Sequence, residues 1–188
     1  MSPSDPDDNT LIRRTREGDI DAFGVLALRY RRRATGLAYR FVGNVEDARD
    51  VSQDAFAKAY ASLGSYRDGT RFDRWLLRIV ANGARDMLRA RSRRGVREPV
   101  DSIAALPADS LTPDRAAELG DLKSRLAAEL SLLPYRQRMA FVLHEQEDMP
   151  HAEIASLLDE KVGTVRWLLF RAREQLRDRL SDLLETDE

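Results

Sequence analysis

Apolar residues recur at three- and four-residue spacing along most of this chain, and the strict alternation of a half-buried strand is absent. Stripes of that kind are buried by packing helix on helix, so the pattern predicts an all-α fold. Helix starts are well marked. Asp19 precedes an apolar series through Phe23, Leu26, Tyr30, Leu37 and Phe41. Asn44 with Asp47 has capping-box spacing before a helix from about 45 to 63. Thr70 with Asp73 repeats it before a helix from about 71 to 91, and 64–69 between them reads as a loop.

From 92 to 112 the periodicity fails, and Gly95, Pro99 and Pro107 gather there. This stretch reads as a flexible linker between two small helical domains, residues 10–91 and 113–188, behind a disordered tail at 1–9. Thr112-Pro113 opens the next helix, since proline suits a first helical position. Further helices are expected over 119–132, 134–146, 150–158 and from 162 to about 184. The 188 residues suffice for two such domains, and 43% hydrophobic residues can supply their cores.

The absence of cysteine excludes disulfides, thiolate chemistry and cysteine-ligated metals, and suits a reducing, cytoplasmic compartment. No apolar run approaches the ~20 residues that span a bilayer, so membrane insertion is not expected. The first nine residues carry Asp5, Asp7 and Asp8 and do not resemble a signal peptide.

A formal net charge of −1 excludes indiscriminate DNA binding, but it is an average. Residues 1–91 hold 17 basic and 13 acidic side chains, net +4; residues 92–188 hold 14 and 19, net −5. The charge is segregated more finely still.

Residues 151–166 have helix-turn-helix spacing. Ile154, Ala155 and Leu158 share one side of a short helix, a turn follows at 159–161, and Val165 and Leu168 point inward from the second helix. Asp159 stands where Gly is commonest in such turns and tolerates a left-handed backbone better than most residues. At ~100° per residue, Val165, Leu168, Leu169, Ala172, Leu176 and Leu180 gather in one sector. Arg166, Trp167, Phe170, Arg171, Arg173 and Arg177 point elsewhere. That outer face suits a major groove, although a basic helix by itself equally suits a solvated amphipathic surface.

In the helix after residue 71, Arg74, Arg78, Arg85 and Arg89 fall within about 60° of one another, with Asn82 beside them. Phe72, Leu76, Ile79, Gly83 and Met87 lie opposite as the expected packing face, with Trp75 at the border. Tyr66, Phe72 and Trp75 flank the basic stripe, a combination that binds phosphates and stacks unpaired bases; a soluble helix with a buried Trp is the plain alternative. The preceding helix has the opposite sign. Asp47, Asp50 and Asp54 form an acidic ridge with Gln53 alongside, either solvated or facing a basic protein partner. No catalytic set emerges. His144 and His151 are seven apart with Pro150 between them, and with Glu145, Glu147 and Glu153 they make a poor metal site. No Gly-rich phosphate loop is present, so neither an enzyme, a cofactor nor a small-molecule substrate is expected.

Taken together, these residues resemble the extracytoplasmic-function group of bacterial RNA polymerase sigma factors, over roughly Leu11 to Leu180. The resemblance rests on Gly18-Asp19 with Ala22-Phe23, Leu26 and Tyr30; on 47–56 (DARDVSQDAF) and 72–82 (FDRWLLRIVAN); and on Leu133-Pro134, Arg138, 153–155, 163–165 and 170–173 (FRAR). It implies that Asp47, Asp50, Gln53 and Asp54 dock on the β′ coiled coil of core polymerase, with the β flap as a further contact. It implies that the 64–71 loop captures an unstacked −10 base, with Tyr66, Arg71, Arg74, Trp75, Arg78, Asn82 and Arg85 near the melted strand. Lys161, Gly163, Thr164, Arg166, Trp167, Phe170, Arg171 and Arg173 would read the −35 element. An anti-sigma protein is an expected further partner. The group commonly has Ser-Arg where this chain has Trp167-Leu168, and often Ser at Lys161. Leu168 falls in the inward sector, whereas Trp167 points away, towards thymine methyls or a regulator. The reading is a promoter-specificity subunit that recognises −35 and −10 elements and promotes strand opening, for a stress or envelope response. The alternatives are a stand-alone helix-turn-helix regulator and a helical adaptor protein.

Overall fold

A computed structural model describes residues 6–94, 126 and 128–186, with side chains through Ser181. All regular elements among them are helical. They divide into two compact units, one of residues 6–39 and 45–94, the other of residues 40–44 and those described after 94.

The first unit is built from α1 (Asp8–Arg16), α2 (Ile20–Val42) through Tyr39, α3 (Val45–Ser62) and α4 (Phe72–Arg93). Helix α1 begins inside the stretch expected to be a disordered tail. The Asp7 carboxylate caps it by accepting from the Thr10 N–H at 2.8 Å, and Leu11 and Ile12 bury its apolar face. Asp19 does the same for α2, accepting from the Ala22 N–H at 3.1 Å. Leu11, Ile12, Phe23, Leu26, Leu63, Tyr66, Phe72 and Leu76 form one apolar core.

Helix α4 departs from its sequence pattern in two ways. It starts at Phe72 with Arg71 as the cap residue, and the expected Thr70–Asp73 capping box does not form. The Thr70 hydroxyl donates to the Arg67 carbonyl at 2.7 Å, while Asp73 is drawn away by two arginines. The buried face is also rotated from the expected one. Phe72, Leu76, Leu77, Val80, Ala81 and Ala84 are buried, whereas Ile79, Gly83 and Met87 are half-buried. The buried sector is wider than the expected stripe: α3 packs beside Gly83, where an added Cβ would lie 3.5 Å from Val51 Cγ1, and burial extends beyond it through Leu77, Val80, Ala81 and Ala84. Small residues therefore become core. The helix runs to Arg93, two residues into the expected linker; 95–112, the helix start at Thr112-Pro113 and most of 119–132 lie outside the described residues.

In the second unit α5 (Tyr135–Phe141) widens into a π-helical turn at Val142–Gln146, where one continuous helix was expected. Helices α6 (His151–Leu158) and α7 (Val162–Thr186) form the helix-turn-helix. Asp159 sits between them at φ 57° and ψ 50°, and the next N–H, of Glu160, closes the end of α6 on the Ala155 carbonyl at 2.9 Å. Val165, Leu168, Leu169, Ala172 and Leu176 are buried, against a unit core that includes Met139, Leu143, Ile154 and Leu158; Leu180 is half-buried.

Candidate nucleic-acid interface

On α3 the side chains of Asp50, Gln53 and Asp54 are exposed and share one surface. Asp47 belongs to it less fully, because its carboxylate accepts from the Arg91 guanidinium of α4 and is half-buried. The exposed ridge thus narrows to Asp50 and Asp54, with Gln53 beside them. On α4, Arg78 and Arg89 are exposed, while Arg74, Trp75, Asn82 and Arg85 are half-buried along the same side. Arg85 also lies 3.4 Å from Asp86.

The loop between α3 and α4 is held from below. A 3-10 turn at Leu63–Ser65 ends α3, and Gly69 adopts φ +82°, a conformation costly for residues with a Cβ. Arg16, the last residue of α1, spans the base of the loop. Its Nε donates to the Leu63 carbonyl at 3.2 Å, its Nη1 to Asp68 Oδ1 at 2.8 Å, and its Nη2 to the Tyr66 carbonyl. The same guanidinium stands 5.9 Å from the centroid of the Tyr66 ring. Sequence reasoning missed Arg16. It lies 47 residues or more from these partners, and nothing distinguishes it locally from Arg13 and Arg14.

Tyr66 is a correction. It was expected at the DNA surface, yet only 4% of it is exposed. Its ring packs against Phe72 and Trp75, at 5.9 and 5.2 Å between centroids, and its hydroxyl donates to the Thr70 carbonyl. Tyr66 shapes the loop and carries Trp75 on its edge; no face of it is left for a base. At the other end of the loop, Asp73 accepts from Arg33 Nη1 at 2.8 Å and Arg71 Nη2 at 2.7 Å. Burial alone would raise the Asp73 carboxyl, but the hydrogen bonds from Arg71, Arg33 and the Arg74 N–H outweigh it and hold it below the ordinary carboxylate value.

On α7, Gly163, Arg166, Trp167, Phe170 and Arg173 are exposed, as is Lys161 just before it, and Thr164 and Arg171 are half-buried. Arg171 is paired with Glu174, and Arg173 Nε donates to Glu145 at 3.0 Å. The π-helical turn and the 147–150 turn also bring His144 and His151 together, ring centroids 4.5 Å apart, despite the proline between them. His144 Nδ1 is 3.2 Å from the Met149 carbonyl. Burial, then His144, Arg166 and Arg173, push His151 below its usual value. Among the described residues no group of three or more His, Asp or Glu is arranged to hold a metal, and no helix is long and apolar enough to cross a membrane.

Residues 26–94 match the sigma-70 region 2 family, and residues 123–176 match sigma-70 region 4. The chain is 36% identical over 187 residues to the RNA polymerase sigma-H factor of Pseudomonas aeruginosa, covering 94% of this chain and 95% of that one. It is 35% identical over 184 residues to the ECF RNA polymerase sigma-E factor of Escherichia coli K12, covering 94% and 96%. The chain belongs to the extracytoplasmic-function sigma factors. Among solved structures it is similar to the sigma factor RpoE of Bartonella quintana in complex with the anti-sigma factor NepR (TM-score 0.66, 26% identity, 85% and 96% of the two chains). It is also similar to CnrH in complex with the cytosolic domain of CnrY (TM-score 0.61, 28% identity, 96% and 99%). This sigma factor is a polymerase-binding subunit for transcription initiation, and its family is not one of classical enzymes.

Proposed function

We propose that the two units divide the work of promoter opening between them. The first, ending near residue 94, docks on the β′ coiled coil of core polymerase through Asp50, Gln53 and Asp54, with Asp47 at the edge. Its loop at 64–71 and the α4 face of Arg71, Arg74, Trp75, Arg78, Asn82 and Arg85 take the melted −10 strand. The second unit, from about residue 113, reads the −35 element through α7 and contacts the β flap. Strand opening follows from capture: stacking contributes about 1–3 kcal/mol per base, which offsets the few kcal/mol of unpairing. The protein acts where polymerase acts, in the cytoplasm, on promoters of a stress or envelope response, and an anti-sigma protein masks it, as NepR binds the similar Bartonella protein.

One observation carries this reading. Within a single unit, neighbouring helices present opposite charge: three exposed acidic or amide side chains on α3 and a row of arginines on α4. A DNA-only regulator has no use for the acidic surface, because it repels phosphate. The test is capture of purified core polymerase by the Asp50→Lys, Asp54→Lys double variant. Core affinity is expected to fall at least about tenfold with helicity unchanged. Unchanged affinity would reject the acidic docking surface.

A further inference from the structure

The outer face of α7 combines two properties that rarely coexist at a solvated surface. Trp167 and Phe170 are 56% and 61% exposed, one turn apart on the same side of the helix. The core does not use them, since Val165, Leu168, Leu169 and Ala172 fill the inward side. Around them stand Lys161 and Arg166, both exposed, and Arg173, which is exposed and paired with Glu145; within the helix sequence no acidic residue occurs between Lys161 and Arg173. At the head of this face a Cβ on Gly163 would meet nothing within 4 Å, so the first turn is open to close approach.

We propose that Trp167 and Phe170 read the C5-methyl groups of thymines in the major groove of the −35 element. The proposal rests on the reading that α7 docks there. The duplex, rather than a protein partner, is the occupant that fits. The cations flanking the rings complement phosphates on both sides of a groove. Residues three apart on a helix are displaced by about 4.5 Å along its axis, close to the ~3.4 Å between successive bases, so the two rings address neighbouring base pairs. In the major groove the thymine methyl is the apolar feature that an aromatic ring can distinguish by contact, and Phe170 in particular has no polar group with which to read a base otherwise. Trp167 stands where the family commonly has Ser, so the methyl contact made by its ring is particular to this chain.

The experiment uses holoenzyme reconstituted from core polymerase and the full chain. It binds a promoter fragment that the same holoenzyme selects from a library randomised across the −35 element. Replacing each −35 thymidine with deoxyuridine removes the methyl and leaves base pairing and O4 intact. Binding is expected to weaken about fourfold for each contacted methyl, the factor that burial of one methylene carries. The Trp167→Ala, Phe170→Ala double variant should bind the thymidine promoter more weakly and lose the thymidine–deoxyuridine difference, while Phe170→Leu keeps part of it. Both side chains are exposed, and unchanged core binding and helicity confirm that the variants fold. Equal binding of the two promoters by native holoenzyme overturns the proposal, as does a double variant that still discriminates. Scrambling the −35 element separates the two levels. If scrambling weakens binding and deoxyuridine does not, methyl readout alone fails and the rings are left for a protein partner. If scrambling has no effect, the −35 reading fails and the proposal falls with it.

Discussion

The basic faces of α4 and α7 look alike on a helical wheel and differ in what lies beneath them. On α4 the aromatics are embedded: Tyr66 and Phe72 are buried, Trp75 packs on both, and the adjoining loop is tied by Arg16 at one end and Asp73 at the other. On α7 the aromatics stand in solvent. The difference fits the two kinds of target proposed for these faces. An unpaired base has no fixed position, so the protein must supply a shaped and preordered receptor whose ordering entropy is already spent. A duplex groove is rigid, and side chains projecting from a straight helix suffice.

The sharpest way to break this contrast is to remove one phenylalanine from each unit. Phe72→Ala should destabilise the first unit by about 4 kcal/mol, because it empties a buried site. Phe170→Ala should shift stability by no more than about 0.5 kcal/mol and weaken −35-dependent binding instead. Denaturant titrations of the two variants, with the native chain alongside, measure both. Similar losses of stability would mean that Phe170 is structural and the contrast false.

A smaller effect tests the loop. Arg16→Ala removes three hydrogen bonds and should cost about 1–2 kcal/mol. Its diagnostic effect is on discrimination at the captured −10 base. Single-base substitutions there should matter less to the variant holoenzyme than to the native one, with −35 preference and core binding unchanged. If −10 discrimination survives, Arg16 stabilises the fold without positioning the loop.

The smallest effect is in acid, where the units part company. His151 lies below its usual value in the folded chain, so its contribution is intact above about pH 6.5 and declines as pH falls through the folded value. Asp73 is also lowered, so the stability it adds is present above its unfolded pKa of about 3.9 and is lost as pH falls through its folded value. Unfolding midpoints between pH 7 and 3 should therefore show the second unit weakening first. His151→Gln should remove that early loss, and a variant that still weakens from pH 6.5 would assign it to another group.

Much of this was written in local sequence. Helical period is a property of neighbours a few residues apart, so α2, α3, α6 and α7, the turn at Asp159 and the opposite signs of α3 and α4 were all legible without coordinates. Helix α1 was legible in principle through the Asp7 cap, but its few apolar residues made a weak period. Three matters were decided only by tertiary structure. The wheel for α4 centred its packing face on Phe72, Leu76, Ile79, Gly83 and Met87, whereas the fold buries a broader sector that takes in Leu77, Val80, Ala81 and Ala84. Charge pattern counted Asp47 with its neighbours, but Arg91 from another helix takes its carboxylate. Composition offered Tyr66 to DNA and left Arg16 unmarked, and the fold buries the first with the second across its ring. In each case the deciding partner lies far away in sequence, and the energy of a pairing depends on a distance that only the folded chain sets.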